Sequence, residues 1–430
     1  MILRKIKYLL SRDLFKAVGI YTISGILTKS IPFFLLPVFT HYLNTSDYGI
    51  ISLISSSILA LMPFLNLGMV DQVTIEFKKQ KRDKYVGFLG TILGLSFLFC
   101  LFLSLLAITF SKFFSELSTV PLIGILIIPV LTYFAFCNDL LMVMIRNNDN
   151  RKLFLTLNVL RALIESSIAI ILIVIFGMQW MGRVNSIFIT GLVFTSVLFY
   201  YTFKKGELLP NLNFTNIKAI IKFGLPTIPL YLMIFTLYNA DKFLISKILN
   251  NKGSVGLYTV SFQVAYIIQV FVTAFYTAFL PKLYDWIKED SIASRIKIVK
   301  SIYLSTIFIF LVGAVLYLFS PVLYHFFINV RYYDSIKLLP YFIICFAIWN
   351  LFVCLLPLIY FFKKNTYLYY VNSIVISVSL VTLYFFIKHF GIIGACFSNI
   401  LSFSILVILM AILANKTYRL PWLYFVTAKR

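Results

Sequence analysis

The chain consists largely of continuous apolar runs that follow one another from Ala17 to Ala414. Each run has about 20 residues, which is the length that a helix needs to cross roughly 30 Å of hydrocarbon. The runs do not alternate between apolar and polar residues, and backbone groups in lipid must pair internally, so helices are favoured over a β-barrel. The predicted spans are 17–40, 48–70, 86–110, 119–143, 153–176, 184–203, 223–246, 255–280, 302–327, 338–361, 367–387 and 392–414.

Composition agrees with a membrane protein, because 61% of the 430 residues are hydrophobic and only 12% are charged. Twelve spans account for roughly 240 residues and leave short connections, without room for a sizeable soluble domain. The sequence therefore predicts an all-α integral membrane protein with about 12 transmembrane helices.

Lys and Arg alternate between the two sides of the predicted helices. If the N-terminus is cytoplasmic, 28 of the 38 basic residues lie on that side, 7 lie on the opposite side and 3 lie within spans. Because short basic loops resist translocation, this asymmetry predicts that both termini are cytoplasmic. Membrane topology thus explains the net charge of +23, and no basic and aromatic module indicates a nucleic-acid partner.

Enzyme motifs are missing from the chain. It has no phosphate loop of the G-x-x-x-x-G-K-[ST] type, no metalloprotease motif and no serine elbow. The five cysteines lack paired spacing and the three histidines are far apart, so neither a metal site nor a disulfide framework is predicted. We therefore expect a protein that is not an enzyme, with no catalytic residues, metal or cofactor.

The two halves of the chain contain a weak internal repeat. Leu43-Asn44 is echoed by Leu249-Asn250, and Tyr48-Gly49-Ile50 by Val255-Gly256-Leu257, at nearly the same offset. Six helices per half would enter the membrane in the same direction, which predicts parallel repeats. The predicted segments are a basic amphipathic N-terminal segment (1–16), a six-helix bundle (17–203), a cytoplasmic linker (204–222), a second six-helix bundle (223–414) and a basic cytoplasmic tail (415–430).

Ionisable residues inside the spans are the candidate functional residues, because each costs at least about 2.5–3.5 kcal/mol on insertion scales. Lys29 lies 12 residues into the first span, near the midplane, where a structural ion pair is the alternative to a function. Arg161 and Glu165 share a helix face and can pair with each other. Asp241 and Lys242 point about 100° apart on a helix, so we expect one to face the interior and the other to snorkel outward.

Two acidic residues near the ends of spans are not candidate functional residues. Asp71 closes the second span and Asp139 closes the fourth, and both are expected to be end-of-helix charges.

Several stretches of the chain resemble a known family. Phe223-Gly224-Leu225-Pro226-Thr227-Ile228-Pro229 is followed by Asp241-Lys242-Phe243-Leu244-Ile245 and Val255-Gly256-Leu257-Tyr258. With Tyr42-Leu43-Asn44, Tyr48-Gly49-Ile50 and Gly391-Ile392-Ile393-Gly394-Ala395, the pattern resembles polysaccharide flippases of the Wzx type. These are members of the MATE-like multidrug/oligosaccharidyl-lipid/polysaccharide exporter superfamily. The resemblance covers the whole chain in length and span count, although the paired prolines of span 7 have no counterparts at the repeat offset in span 1.

The resemblance implies two six-helix bundles around a central cavity that opens alternately to each side. It also implies export of an undecaprenyl-diphosphate-linked oligosaccharide, such as an O-antigen unit, from the cytoplasmic to the periplasmic leaflet of the bacterial inner membrane. In that function Lys29, Arg161 and Lys242 are candidates for binding the anionic substrate, and Glu165 or Asp241 for ion coupling. The implied partners are this lipid-linked oligosaccharide, membrane lipids, and polysaccharide polymerase or assembly proteins.

Three alternatives stay open. A cation-coupled multidrug exporter of the same superfamily would use intramembrane carboxylates, and this chain has them. A membrane-embedded glycan polymerase or ligase would need a long outer loop, whereas the two longest predicted loops, Asp71–Tyr85 and Pro281–Ser301, are cytoplasmic. A purely structural assembly partner would not need charges inside its spans.

Overall fold

The computed structural model of the chain describes residues 33–207, 213–362, 364 and 366–422, together with Gly25, Thr28 and Ile31. These ranges are almost entirely helical and contain no strand. Within them, ten helices are long and apolar enough to cross a membrane, and the last of these covers two of the predicted spans. With the shorter apolar helix Phe33–Tyr42, which ends the first predicted span, the described part is consistent with about 12 transmembrane helices.

The chain divides into two compact units, with the boundary between Tyr231 and Leu232. The predicted bundle and linker boundaries remain a prediction. The helices of unit 1 are α1 (Phe33–Tyr42), α2 (Thr45–Asn66), α3 (Met69–Lys79), α4 (Arg82–Thr109), α5 (Ser111–Ser118), α6 (Leu122–Asn147), α7 (Arg151–Ile170), α8 (Gln179–Lys204), α9 (Phe214–Gly224) and the first half of α10 (Ile228–Phe235). Those of unit 2 are the rest of α10, α11 (Asp241–Leu249), α12 (Lys252–Ala265), α13 (Ile267–Glu289), α14 (Ile292–Phe327), α15 (Leu339–Phe361) and α16 (Thr366–Thr417).

One helix forms the core of each unit. In unit 1, α6 packs against α2, α3, α4, α7 and α8, and 72% of its most apolar stretch is buried, compared with 17% for the helix Arg151–Ile175. In unit 2, α15 packs against α12, α13, α14 and α16, and 67% of its stretch is buried. In both halves the fourth predicted span is therefore the central one, which agrees with an internal repeat. The apolar side chains that the other helices leave uncovered suit contact with lipid.

The repeat is also visible in two helix caps. The Oδ1 atom of Asn44 accepts a hydrogen bond from the backbone N–H of Asp47 at 2.7 Å and caps α2. The Oδ1 atom of Asn251 does the same for Gly253 at 2.8 Å and caps α12. The equivalent of Asn44 is therefore Asn251 and not Asn250, because the cap satisfies the otherwise unpaired N–H groups of the first helical turn.

The helices are longer than their apolar runs. Asp71–Tyr85 and Pro281–Ser301 were expected to be the longest loops, and the structure shows that this expectation is wrong. Only residues 80–81 separate α3 from α4, and only residues 290–291 separate α13 from α14. The physical reason is that charged residues continue a helix where water and head groups can solvate them, so hydropathy marks the hydrocarbon and not the end of the helix.

Three glycines control the connections between helices. Gly391 has φ 61° and ψ −140°, a conformation close to one that only glycine adopts readily, and it divides α16 into two helices. A methyl group added to Gly224 would collide with the backbone of Leu67, where α2 ends, and one added to Gly394 would collide with the backbone of Phe386. All three glycines belong to the stretches that carry the family resemblance.

We predict that Gly224→Ala and Gly394→Ala each lower the free energy of unfolding by about 1–3 kcal/mol, because backbone cannot move aside for the added methyl group. The measurement is the thermal midpoint of the purified protein in detergent. Gly87→Ala in α4 is the matched control, since a Cβ there meets no atom within 4 Å. Equal midpoints for all three variants would contradict the close approaches.

Candidate functional site

Three charged side chains meet inside unit 1, between α7 and α8. The Oε1 atom of Glu165 lies 2.6 Å from Nη2 of Arg183, and its Oε2 atom lies 3.9 Å from Nη2 of Arg161. The three side chains are between 16% and 28% exposed. We call Arg161, Glu165 and Arg183 the Arg–Glu–Arg cluster, in which two guanidinium groups share one carboxylate.

Arg183 lies inside the helical hairpin and not in a loop. Arg183 is one of the 7 basic residues that the sequence assigns to the side opposite the termini, outside the predicted spans. The structure places it within α8. An arginine near the end of a membrane helix ordinarily extends toward the polar surface. Arg183 reaches Glu165 instead, ten residues before the end of the helix Arg151–Ile175, and its guanidinium lies 5.9 Å from the ring centroid of Phe39.

Further polar residues of unit 1 continue from this cluster. Asp139 of α6 interacts electrostatically with Arg161 and with Tyr231 of α10. The hydroxyl of Tyr231 donates a hydrogen bond to Oδ2 of Asp71 at 3.3 Å. A hydrogen bond thus links α3 to α10 through Asp71 and Tyr231, and Asp139 adds a negative charge near Arg161.

The Arg–Glu–Arg cluster holds two guanidinium groups and only one carboxylate, so its own formal charge is positive. The Nε atom of Arg161 is buried and has no hydrogen-bond partner, so this guanidinium has an unused donor. A phosphate can replace a carboxylate beside a guanidinium because both present paired oxygens to its N–H groups. The arrangement is therefore suited to the exchange of one anion for another.

A second buried cluster, in unit 2, is centred on Asp241. Its Oδ2 atom accepts hydrogen bonds from the hydroxyl of Tyr258 and, at 2.9 Å, from Nδ2 of Asn399. Its Oδ1 atom accepts one from the backbone N–H of Lys242 at 2.8 Å. Only 2% of Asp241 is exposed. Three donors converge on this carboxylate, and they connect α11 to α12 and α16.

Lys242 is buried as well, so the expectation that one of the two adjacent charges snorkels outward is wrong. Its Nζ atom donates a hydrogen bond to Oδ1 of Asn239 at 3.0 Å and lies 5.5 Å from the ring centroid of Phe262. The side chain is 7% exposed. The reason is that α11 packs against both α12 and α16, so two faces of this helix are covered. The contact with Phe262 is a cation–π interaction.

Both clusters lie on helices that contain a π-helical turn. Such turns are rare and are often found at functional sites. One turn, Ile171–Ile175, directly follows the helix that carries Arg161 and Glu165. The other, Thr236–Ala240, directly precedes Asp241 and contains Asn239.

A small cavity lies beside the Asp241 cluster. It is lined by Asn399, Phe262 and other aromatic residues of unit 2 and holds about 10 Å³, close to the space of one water molecule. The Oδ1 atom of Asn399 is buried without a hydrogen-bond partner. Within the described ranges no group of three or more His, Cys, Asp and Glu side chains is placed to hold a metal ion. The oxygens of Asp241 and Asn399 suit a proton or a small hard cation better than a transition metal.

The structure brings the sequence-predicted residues together in pairs. Arg161 and Glu165 meet in unit 1, and Asp241 and Lys242 lie in one cluster in unit 2. Lys29 lies outside the described residues.

Sequence reasoning missed three residues of these clusters. Arg183 was overlooked because it stands one residue before a predicted span, although an arginine at that position is a usable indication. Tyr258 belongs to a stretch that carries the family resemblance, so it could have been selected. Asn399 is a lone amide in an apolar run and gave no separate indication.

The comparisons with known proteins agree with this architecture. A family model described as polysaccharide biosynthesis protein matches residues 14–285. Among solved structures, the chain is similar to the lipid II flippase MurJ in an inward closed conformation, with a TM-score of 0.75 and 14% identity over 92% of this chain and 87% of that one. It is also similar to an inward-facing multidrug resistance MATE family transporter of the MOP superfamily, with a TM-score of 0.71 and 12% identity over 90% of this chain and 94% of that one. A search of curated proteins gives no match.

These findings confirm the resemblance that the sequence motifs indicated. At such low identities the structural similarity establishes the fold, which is that of MATE and MurJ transporters. The family match is independent of the fold and covers more than half of the chain. The protein therefore belongs to the polysaccharide biosynthesis protein family.

Proposed function

We propose that the protein is a flippase of the bacterial inner membrane that exports a lipid-linked oligosaccharide, such as an O-antigen unit on undecaprenyl diphosphate, by alternating access. The observation that carries this proposal is the Arg–Glu–Arg cluster, which holds two guanidinium groups inside the apolar body of unit 1. A diphosphate head is an anion that cannot cross hydrocarbon unaided. The polysaccharide family and the fold shared with a lipid II flippase support this class of substrate.

Anion exchange at the cluster is the proposed binding step. A lone guanidinium at the membrane centre costs at least about 2.5–3.5 kcal/mol, so Arg161 and Arg183 need a counter-ion throughout transport. Glu165 is that counter-ion while no substrate is bound. The diphosphate replaces it through paired, charge-assisted hydrogen bonds, and Glu165 returns when the substrate leaves. Lys29 is also proposed to bind the substrate, as the sequence predicts.

The driving force is proposed to have two sources. The membrane potential, negative inside, favours outward movement of an anion by about 2.3 kcal/mol per charge per 100 mV. A coupled proton or cation is the second source, and Asp241 and Glu165 are the candidates to bind it. Asp241 is better placed, because the unpartnered Oδ1 of Asn399 lies in the same cluster, whereas Glu165 is already bound by two arginines.

Lys242 is proposed to contact the substrate later in the cycle. Its Nζ atom is bonded to Asn239 and covered by Phe262. Because only 7% of the residue is exposed, a phosphate can reach it only after α11 and α12 have moved apart.

Multidrug export is the second candidate function. It is favoured by two carboxylates near the hydroxyl of Tyr231: Asp71 accepts a hydrogen bond from it, and Asp139 interacts with it electrostatically. Carboxylates beside an aromatic ring would suit an aromatic cation. A deletion strain that becomes drug-sensitive but keeps its surface polysaccharide would select this alternative.

We predict that Arg161→Ala and Arg183→Ala each slow transport about 10- to 100-fold, because a hydrogen bond to a charged group contributes about 1.5–3 kcal/mol. The measurement is the rate of flipping of the lipid-linked oligosaccharide in membrane vesicles, with surface polysaccharide as the cellular readout. Arg146→Ala removes an exposed arginine of α6 and serves as the control at equal protein level. Wild-type rates in both cluster variants would remove these residues from the mechanism.

We predict that Glu165→Gln binds a diphosphate lipid at least tenfold more tightly than the wild type and turns over more slowly. The amide keeps the shape of the side chain but no longer competes with phosphate for the two arginines. Binding is measured on the purified protein with undecaprenyl diphosphate, and Glu116→Gln, in α5 and outside the cluster, is the control. Weaker binding by Glu165→Gln would show that Glu165 organises the arginines and does not compete with the substrate.

The proposed orientation gives a further prediction. Alkaline phosphatase fused after Gln80, between α3 and α4, should be inactive, because basic segments remain cytoplasmic. The same reporter fused after Thr119, between α5 and α6, should be active. The reverse result would exclude cytoplasmic termini.

A further inference from the structure

The end of unit 2 at which α13 meets α14 contains a cavity that the proposed transport step does not use. It has a volume of about 470 Å³, which is within the range of about 300–1,000 Å³ that is usual for ligand pockets. Its wall combines charged and aromatic side chains from four helix ends. They include Asp290, Arg295, Phe361, Phe362, Lys416 and Arg419.

Arg295 holds the wall of this cavity in place. Its Nη2 atom donates a hydrogen bond to Oδ1 of Asp290 at 2.8 Å, and its Nη1 atom donates one to the carbonyl oxygen of Arg419 at 3.1 Å. Its guanidinium lies 4.5 Å from the ring centroid of Tyr418, and that ring stacks on Phe362 at 5.5 Å. One side chain therefore joins the start of α14 to the segment that follows α16.

The segment after α16 folds back along unit 2. The hydroxyl of Tyr303 donates a hydrogen bond to the carbonyl oxygen of Trp422 at 2.8 Å. The backbone N–H of Leu420 donates one to Oδ1 of Asn415 at 3.2 Å. These contacts hold the backbone of the segment that carries Lys416 and Arg419 at the rim of the cavity.

The rim carries two positive charges that no side chain in the described ranges neutralises. The hydrogen bond from Arg295 lowers the pKa of Asp290 below its usual value, so Asp290 stays ionised at neutral pH and compensates Arg295. Lys416 and Arg419 are exposed, and in the part of the chain that the structure describes neither has an ion-pair partner. The cavity therefore has a net positive charge above an aromatic floor.

We propose that this cavity binds a phosphate group, supplied by the head group of an anionic phospholipid in the leaflet that faces the ends of α13 and α16. Lys416 and Arg419 contact the phosphate, and Phe361 and Phe362 lie beside the glycerol and the upper acyl chain. Basic recesses between membrane helices are suited to anionic head groups. The site lies within unit 2 and does not depend on the identity of the transported substrate.

Topology alone does not account for these features. The preference for basic residues on the cytoplasmic side requires charge but no fixed concavity. Lys297 and Lys300 of α14 satisfy that preference as exposed side chains outside the cavity. They therefore give a control with the same change in charge.

Native mass spectrometry of the detergent-purified full chain tests the proposal, with phosphatidylglycerol as the probe and phosphatidylcholine as the reference lipid. The wild type is expected to retain one phosphatidylglycerol and to gain thermal stability from it. Lys416→Ala combined with Arg419→Ala should lose the bound lipid and at least half of that thermal shift. Lys297→Ala combined with Lys300→Ala should keep both.

The other outcomes are equally clear. Equal loss in the two double variants would overturn the site, because general surface charge would then explain binding. If the wild type bound phosphatidylcholine as tightly as phosphatidylglycerol, the proposed preference for an anionic lipid would also be overturned. Stabilisation of the wild type by inorganic phosphate, abolished only by the cavity variant, would keep the phosphate site and reject the lipid as its source. Both altered side chains are exposed, so unfolding is not expected to obscure the result.

Discussion

A charged side chain in hydrocarbon must be accompanied by a partner, and this constraint explains the contacts of the charged residues in both clusters. In unit 1, Glu165 lies between two arginines, and Asp139 interacts with one of them. In unit 2, Asp241 accepts three hydrogen bonds and Lys242 is bonded to an amide oxygen. Each partner also competes with any ligand for the charged group that it contacts. The strength of these contacts therefore determines how easily a ligand can displace the partner.

The two units meet this constraint with related scaffolds. Each is built around a central helix, α6 or α15, and each has an asparagine cap at its first turn, Asn44 or Asn251. Their polar contents nevertheless differ. Unit 1 has one ion pair within α7 and another between α7 and α8, which suit anion exchange. Unit 2 has a compact cluster of hydrogen bonds around one carboxylate. A repeated fold thus offers two different chemistries.

Much of the fold follows from the sequence, because hydrocarbon thickness fixes the length of an apolar helix. The positions of the helix ends could not be predicted from the sequence. Helical turns in water, such as those before Lys79, lack the run of apolar residues that marks a span. Arg161 and Glu165 were predictable from their spacing on one helix. The contact of Glu165 with Arg183 was not, because it depends on how two helices pack side by side. The burial of Lys242 likewise depends on α12 and α16, which the local sequence does not specify.

The π-helical turn before Asp241 has a mechanical consequence. Such a turn holds one residue more than the α-helical turn it replaces, and each residue of an α-helix advances about 100° around the axis. If Thr236–Ala240 becomes ordinary α-helix, the π-helical turn shifts to a later position in the helix. The side chains between the old and the new position then rotate around the helix axis. Asp241 would then withdraw from Tyr258 and Asn399 while the ladder of backbone hydrogen bonds stays complete. The carboxylate can in this way be presented and retracted by a change of register, with no hinge and no broken helix.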